Sequence, residues 1–222
     1  MKAALVLNAE SASLQQQAAE IKALLNNRTV VLSTVELWLL HQEHQPASIP
    51  EMGCSLSAIK AIAVEKIYLP DTYLQLLEKL ARRNPVDLLL FPSDSLGAEL
   101  ATRLAYRLNG SSSLQVECCR SVSHGLEITK PVYGNNLTAQ FVMEYAPYCL
   151  SVAKRPCPRA IMIPRNPQEM ESITCDPPYG DWIKEVVTIP DRKDSGLAEA
   201  DLVVVVGQGA KNRDTVHRLQ AM

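Results

Sequence analysis

The stretch "DLLLFPSDSLGAELATRLAYRLNG", residues 87–110, decides the fold. Its four apolar residues 88–91 have the length and character of a buried parallel strand. Ser93, Asp94 and Ser95 follow, and all three are good N-caps for a helix. Leucines then recur every fourth residue over 96–108, and Asn109-Gly110 ends the helical pattern. The stretch therefore predicts a strand, a tight turn and an amphipathic helix.

The same alternation of strand and helix runs through the N-terminal half of the chain. "KAALVL" (2–7) predicts a strand, and Leu14, Ala18, Ile21 and Leu25 lie on one face of a helix. Further strands are predicted at "TVVLS" (29–33) and "KIYL" (66–69), and short helices at "TVELWLLH" (34–41) and around 57–63. Asp71 can cap another helix, whose buried stripe is Leu74, Leu77, Leu80 and Ala81.

After Gly110 the pattern changes to strand-like pieces with short turns. These are "LQVECC", "GLEITKPV", "LTAQFVM" and "YCLSVA", and "KEVVTI" (184–189) suggests one more strand. The whole pattern predicts a three-layer α/β fold of Rossmann-like type, with a mainly parallel sheet flanked by helices and antiparallel strands added after residue 110. We expect residues 1–190 to form this domain and the polar stretch 191–200 to be a linker.

Composition excludes several classes of function. The net charge is −2 and aromatic residues make up 5% of the 222 residues, which argues against nucleic acid as a partner. Apolar stretches are too short for membrane insertion or a secretory leader. The six cysteines have no C-x-x-C spacing, so we expect reduced thiols and a cytoplasmic protein.

Polar residues offer few candidates for chemistry. "FPSDSLG" (91–97) enters a helix and could hold a phosphate there, although simple helix capping is the favoured interpretation. His41 and His44 lack a third metal ligand, so no metal site is predicted. His124 and His217 have no evident nucleophile or carboxylate partner, so no catalytic residue is predicted.

Two glycine-containing turns remain. "KPVYGNN" (130–136) is either a simple hairpin tip or a device that presents a cation and a phenol to a ligand or partner. In "VVVVGQGAKN" (203–212) Gly207 and Gly209 let the backbone approach a pyrophosphate, and Lys211 could neutralise it.

Together these motifs resemble the alpha (large) subunit of electron-transfer flavoproteins. "SLGAELATRL" is similar to the family's aliphatic-Gly-x-x-Leu-Ala-x-Arg-Leu unit, and "KPVYGNN" to its basic-Pro-x-Tyr-Gly-Gly hairpin. "VVVVGQGAKN" resembles the Gly-Arg-Gly strand end that opens the family's flavin domain. The sequence departs from the family at Lys130 (usually arginine), Asn135 (glycine) and Gln208 (arginine).

The resemblance implies a redox carrier that works with a beta-type subunit, rather than a substrate-transforming enzyme. It implies FAD binding by Gly207, Gln208, Gly209 and Lys211, and a partner interface that includes Lys130, Tyr133 and Gly134. Residues 201–222 correspond to the start of an incomplete FAD-binding domain, so we expect this chain to bind FAD weakly or not at all. We also expect that the isolated chain can form a homo-oligomer.

Two alternatives stay open at this point. One is a stand-alone nucleotide- or phosphate-binding α/β module that uses "FPSDSLG". The other is a non-redox remnant that only binds its partner subunit.

Overall fold

The structure is a computed structural model, and it describes residues 1–42, 44–64, 70–173, 187, 205–207 and 213–220. The chain divides into two compact units, Met1–Tyr179 and Gly180–Met222. In the first unit the strands are β1 Lys2–Asn8, β2 Thr34–His41, β3 Ser48–Pro50, β4 Ala58–Ala63, β5 Leu88–Phe91, β6 Ser111–Val116, β7 Cys118–Val122, β8 Gly125–Val132, β9 Leu137–Met143, β10 Tyr148–Val152, β11 Met162–Pro164 and β12 Glu171–Ile173. Its helices are α1 Leu14–Asn26, α2 Pro70–Arg83 and α3 Ser95–Arg107, with a 3₁₀ turn at Pro167–Glu169. In the second unit, helix α4 spans Arg213–Gln220.

Seven strands form one parallel sheet in the order β12-β4-β2-β1-β5-β10-β6. Its central strands are apolar on both faces, as expected of a sheet covered on both sides. Leu5 and Leu7 pack with α1 in one hydrophobic cluster. Val6 and Ala4 point the other way and pack with α2 and α3 in a second cluster. The predicted three-layer α/β fold with a mainly parallel sheet is therefore confirmed.

The predicted antiparallel addition after residue 110 is a separate three-stranded sheet in the order β7-β8-β9. Two of the strand-like pieces behave differently, because β6 and β10 join the main sheet in parallel orientation. Strand β10 pairs with β5, and β6 pairs with β10 at the edge of the sheet.

Three local predictions were wrong. Residues 34–41 form strand β2, not a helix, because β1 and β4 flank them and both faces are covered. Residues 57–63 were also predicted as a helix, and Ala58–Ala63 is strand β4 between β2 and β12. "TVVLS" does not form a full strand, and Thr29 makes an isolated bridge to Arg120.

The predicted strand at 66–69 lies outside the described residues, and so does the one at 184–189 apart from Val187. The predicted boundaries at 190 and 200 fall in the same undescribed stretch and stay predictions. Asp71 lies in the first turn of α2, where its carboxylate is bound by Arg103 and Arg107 of α3.

Candidate functional site

The hairpin arm, defined here as β8, β9 and the turn that joins them (residues 125–143), carries the predicted partner residues. Its base is part of the hydrophobic core, where Leu126, Ile128 and Met143 are buried. Further along the arm, the core no longer covers the side chains. Phe141 is 50% exposed and Leu137 is 59% exposed. The arm therefore carries an apolar face from the core out to the surface.

The turn at the end of the arm has an unusual backbone. Tyr133, Gly134 and Asn135 have φ values of 51°, 65° and 68°, all in the left-handed region. Asn136 closes the turn, because its side-chain Nδ2 donates to the Tyr133 carbonyl oxygen at 2.7 Å. A left-handed backbone explains why glycine suits position 135, and asparagine is among the side chains that tolerate it best.

The turn brings the predicted interface residues Tyr133 and Gly134 to the end of the arm, and Lys130 lies on β8 opposite Ala139. The Tyr133 side chain is 79% exposed. Sequence reasoning missed the exposed apolar residues of β9, namely Leu137, Phe141 and Val142. The signal was present, because residues 137–143 carry no charge in a strand-like pattern.

The carboxyl end of the parallel sheet is the other place where a ligand could bind. Helices α1 and α3 follow β1 and β5 and pack on opposite faces, so the sheet has its topological switch point between these two strands. Asp94 is the N-cap of α3, and its Oδ1 accepts from the Gly97 backbone N–H at 2.7 Å. Its Oδ2 accepts from Gln17 Nε2, also at 2.7 Å.

A second polar contact closes the same edge. Ser93 Oγ donates to Glu20 Oε2 at 2.6 Å, and the side chains of Gln17 and Glu20 on α1 are both buried. A carboxylate thus already occupies the N-terminus of α3, the position that an anionic ligand would take. This geometry favours the capping interpretation of "FPSDSLG" over a phosphate site.

His41 ends β2 at this edge, and it is buried with neither ring nitrogen in a hydrogen bond within the described part of the chain. Burial lowers the pKa of His41 below its ordinary value of 6.5, and the nearby Glu10 charge opposes this shift. Ser123 Oγ lies 2.6 Å from His124 Nδ1 on the surface. Among the described residues, no group of three or more His, Cys, Asp or Glu side chains could hold a metal ion.

Four of the five described thiols are poor nucleophiles. Burial raises the pKa of Cys119 and of Cys149 to about 12, and it also raises the pKa of Cys54 and Cys157. All four thiols are therefore protonated near neutral pH.

A cleft of about 640 Å³ lies beside the β3–β4 connection. Its charged lining residues are already paired: Glu51 with Lys22 at 3.0 Å, and Arg165 with Glu169 at 3.3 Å. Ion pairs of this kind leave no free cation for a phosphate in the described lining of the cleft.

The predicted flavin-binding turn is only partly described. Gln208, Gly209 and Lys211 lie outside the described residues, and Gly207 follows the exposed Val205 and Val206. In the described structure, no heavy atom beyond its chain neighbours lies within 4 Å of the position that a Cβ on Gly207 would take.

No helix in the described portion of the chain is long and apolar enough to cross a membrane.

Comparison with known proteins gives two matches. Residues 52–176, more than half of the chain, match the family model described as "Electron transfer flavoprotein domain". A protein of Escherichia coli (strain K12), named "Putative electron transfer flavoprotein subunit YgcQ", is 35% identical over 131 residues. These residues are 59% of this chain and 44% of the relative, so the match spans less than half of the relative's length.

Proposed function

The chain belongs to the electron transfer flavoprotein family, and from this premise we propose that it is an alpha-type subunit that carries electrons together with a beta-type subunit. The observation that carries the proposal is the hairpin arm, which lies entirely within the family match at residues 52–176. The arm exposes an apolar surface at the place where the motif "KPVYGNN" predicts a partner interface. A carrier subunit needs such a surface, whereas a substrate-transforming enzyme needs a site with reactive groups.

The arm has the properties of a protein-binding surface. Leu137 and Phe141 are large apolar side chains that are at least half exposed, and Tyr133 adds an aromatic ring at the end. Aromatic and aliphatic side chains that become buried on association contribute most of the binding free energy in protein interfaces. Lys130 adds one positive charge beside them, which suits an acidic rim on the partner.

FAD is the cofactor that the family implies. Gly207, Gln208, Gly209 and Lys211 would hold its pyrophosphate, and none of the described atoms crowds the Cβ position of Gly207, which fits such an approach. When bound, the flavin would accept and release the electrons. One glycine turn and one cation provide few contacts, and an exposed charge pair contributes only about 0–1 kcal/mol. We therefore propose that the 222-residue chain by itself binds FAD weakly.

The flavin proposal is tested by an absorption spectrum of the freshly purified chain. We expect a colourless protein without flavin bands in the blue region. A yellow protein with about one FAD per chain would contradict the proposal, because a high occupancy after purification requires tight binding.

The partner proposal is tested by co-expression with a beta-type subunit and by measuring the affinity of the purified pair. We expect a heterodimer, and we expect Leu137→Asp to weaken it by about tenfold or more, because a carboxylate would be buried at the interface. Val31→Asp is the matched control, since Val31 is an apolar side chain that is 86% exposed outside the arm.

Other outcomes separate the alternatives. A chain that ignores beta-type subunits but binds AMP or ATP tightly would be a stand-alone nucleotide-binding module. A heterodimer that binds no flavin and transfers no electrons would be a non-redox remnant. Equal losses of affinity in Leu137→Asp and Val31→Asp would mean that the arm is not the interface.

A further inference from the structure

The strand edges of the described sheets differ in how they are protected. The outer edge of β7 is covered by Thr29, whose N–H donates to the Cys119 carbonyl at 3.0 Å and whose carbonyl accepts from the Ser121 N–H at 3.3 Å. Edge strand β6 is irregular, because its register with β10 shifts near Gln115, which has a φ of 58°. Bulges and covering segments are common ways to prevent edge-to-edge pairing.

Within the described residues, strand β9 has none of these protections. It is the outer strand of its sheet, and its seven residues, "LTAQFVM", include no charge, proline or glycine. Its pairing with β8 is regular over all seven positions. In an antiparallel strand, the N–H and C=O groups of every second residue point away from the paired strand. The outer edge of β9 therefore presents a row of these backbone groups. The edge is a template for another strand.

The sequence of β9 is complementary to itself when it runs antiparallel. With a two-fold axis at Gln140, Leu137 lies opposite Met143 of the second copy, and Ala139 lies opposite Phe141. On the other face, Thr138 lies opposite Val142 and the two Gln140 side chains meet. Every pair is apolar with apolar, small with aromatic, or neutral with neutral, and no like charges oppose each other.

We infer that two copies of this chain pair through the outer edges of β9, in antiparallel orientation with the two-fold axis at Gln140. The product is a six-stranded sheet in which the apolar faces of both hairpin arms are continuous. Closed two-fold symmetry uses the same surface on both copies and stops at the dimer. The inference does not depend on flavin or on the identity of the partner subunit.

The dimer has a consequence for assembly. In the antiparallel arrangement, the turn of each arm, with Tyr133, lies beside the base of the other copy's arm. The apolar faces of both arms stay exposed, but each turn, which belongs to the surface proposed for the beta-type subunit, is flanked by the second copy, so the homodimer competes with the heterodimer at the turn. The homodimer protects an aggregation-prone edge.

Gln140 is the position that tests this pairing, because it is the residue of β9 that faces itself. Its side chain hydrogen-bonds Glu127 on β8 in the same arm. Lysine at 140 can keep a donor near Glu127, so Gln140→Lys should fold. In the homodimer, however, it places two positive charges opposite each other, and Gln140→Glu places two negative charges there.

The experiment is sedimentation velocity of the purified 222-residue chain over a concentration series up to about 100 µM, a range that detects dissociation constants in the micromolar range. We expect the wild type to be a dimer, and Gln140→Lys and Gln140→Glu each to weaken dimerisation by about tenfold or more. Mixing the two variants should restore the dimer, because lysine then faces glutamate. Thr102→Lys, on the exposed face of α3, is the charge-matched control and should leave the dimer intact.

Restoration by mixing is a result that misfolded variants cannot produce. A wild type that stays monomeric at the highest concentration would overturn the inference. A Gln140→Lys variant that dimerises as well as the wild type would overturn it too, as would a mixture that stays monomeric. Each sample is also titrated with the beta-type subunit: heterodimer formation without a homodimer rejects this inference alone, and a homodimer without heterodimer formation rejects the proposed partner alone.

Discussion

The carboxyl end of the parallel sheet and the hairpin arm are both places where an α/β protein could bind a ligand or a partner. They differ in whether their side chains are paired within the chain or exposed. At the sheet end, polar side chains bind each other: Gln17 with Asp94, and Glu20 with Ser93. On the arm, Asn136 hydrogen-bonds to Tyr133 within the turn, and apolar side chains remain exposed. The sheet end is therefore closed by the chain itself, whereas the arm leaves apolar side chains exposed, as the proposed partner interface requires.

The difference fits the proposal that this nucleotide-binding type of fold serves here in assembly with another subunit. The switch point of such a sheet is the usual ligand site. Here Asp94 supplies the negative charge that a phosphate would bring to the N-terminus of α3. In the described sheets, the large apolar side chains that are exposed on a strand lie along β9. Substitutions at the two regions should therefore differ, those at the sheet end in stability and those at the arm in association.

The largest expected effect is that of Gly97→Ala at the sheet end. A Cβ at Gly97 would lie far inside van der Waals contact with the backbone carbonyl oxygen of Pro92, which cannot swing away as a side chain could. We expect a loss of about 3 kcal/mol in the free energy of unfolding, measured by urea titration. The control is Gly134→Ala at the arm turn, where the nearest atom is 3.8 Å away and the cost comes from the left-handed φ, about 1–2 kcal/mol. The comparison fails if Gly134→Ala is the more destabilising of the two.

The segment around Gly97 is also where sequence reasoning worked best. The helix over 95–107, its cap among Ser93 to Ser95 and its end at Asn109 were all predictable, because leucines at every fourth position and capping side chains are local signals. Residues 34–41 were wrongly predicted as a helix, since a central strand buried on both faces loses its two-residue alternation.

The polar closure of the sheet end could not be predicted. Gln17 and Glu20 look like the solvent side of an amphipathic helix, and only the fold brings them against Asp94 and Ser93. The places of β6 and β10 in the parallel sheet depend on contacts between distant parts of the chain, which local patterns do not encode. On the arm, the "KPVYGNN" motif indicated the turn, but exposure of Phe141 depends on where the core ends.

The second prediction concerns the cap itself. Asp94→Ala removes the acceptor for the Gly97 N–H and the partner of the buried Gln17 amide. We expect a loss of about 1–2 kcal/mol, the usual cost of removing a helix N-cap. Asp94→Ser keeps a capping oxygen without the carboxylate, so it should recover part of the loss in the same urea titration. Asp94→Ala could instead leave the free energy of unfolding unchanged and create a binding site for phosphate. In that case Asp94 blocks an anion site and does not stabilise the helix as a cap.

The third prediction is a dependence on pH that is specific to the sheet end. Burial holds the pKa of His41 below 6.5 in the folded state, so the unfolded chain binds the proton more readily. The stabilising contribution is complete above pH 6.5 and decreases as the pH falls below 6.5 toward the folded pKa. Glu127 on the arm stays ionised in this window, because Arg120 holds its pKa below the ordinary value of 4.5. Thermal melting between pH 7.5 and pH 5 should show a decline in the wild type and a shallower one in His41→Gln, and equal slopes would contradict the assignment.

The smallest change in stability, and the sharpest difference between the two regions, is expected for Tyr133→Ala at the end of the arm. Tyr133 is 79% exposed and sits in a left-handed turn, and alanine in the same backbone removes the ring without opening a cavity. The free energy of unfolding should therefore change by less than about 0.5 kcal/mol. Affinity for the beta-type subunit should fall by about tenfold, because an aromatic ring at the interface is lost. Tyr106→Ala is the matched control, since Tyr106 is 85% exposed on α3 and lies outside the arm. Calorimetric titration of both variants with the subunit separates the cases: a loss in Tyr133→Ala alone assigns the arm to association, and a loss of equal size in both would mean that the partner binds across α3 as well.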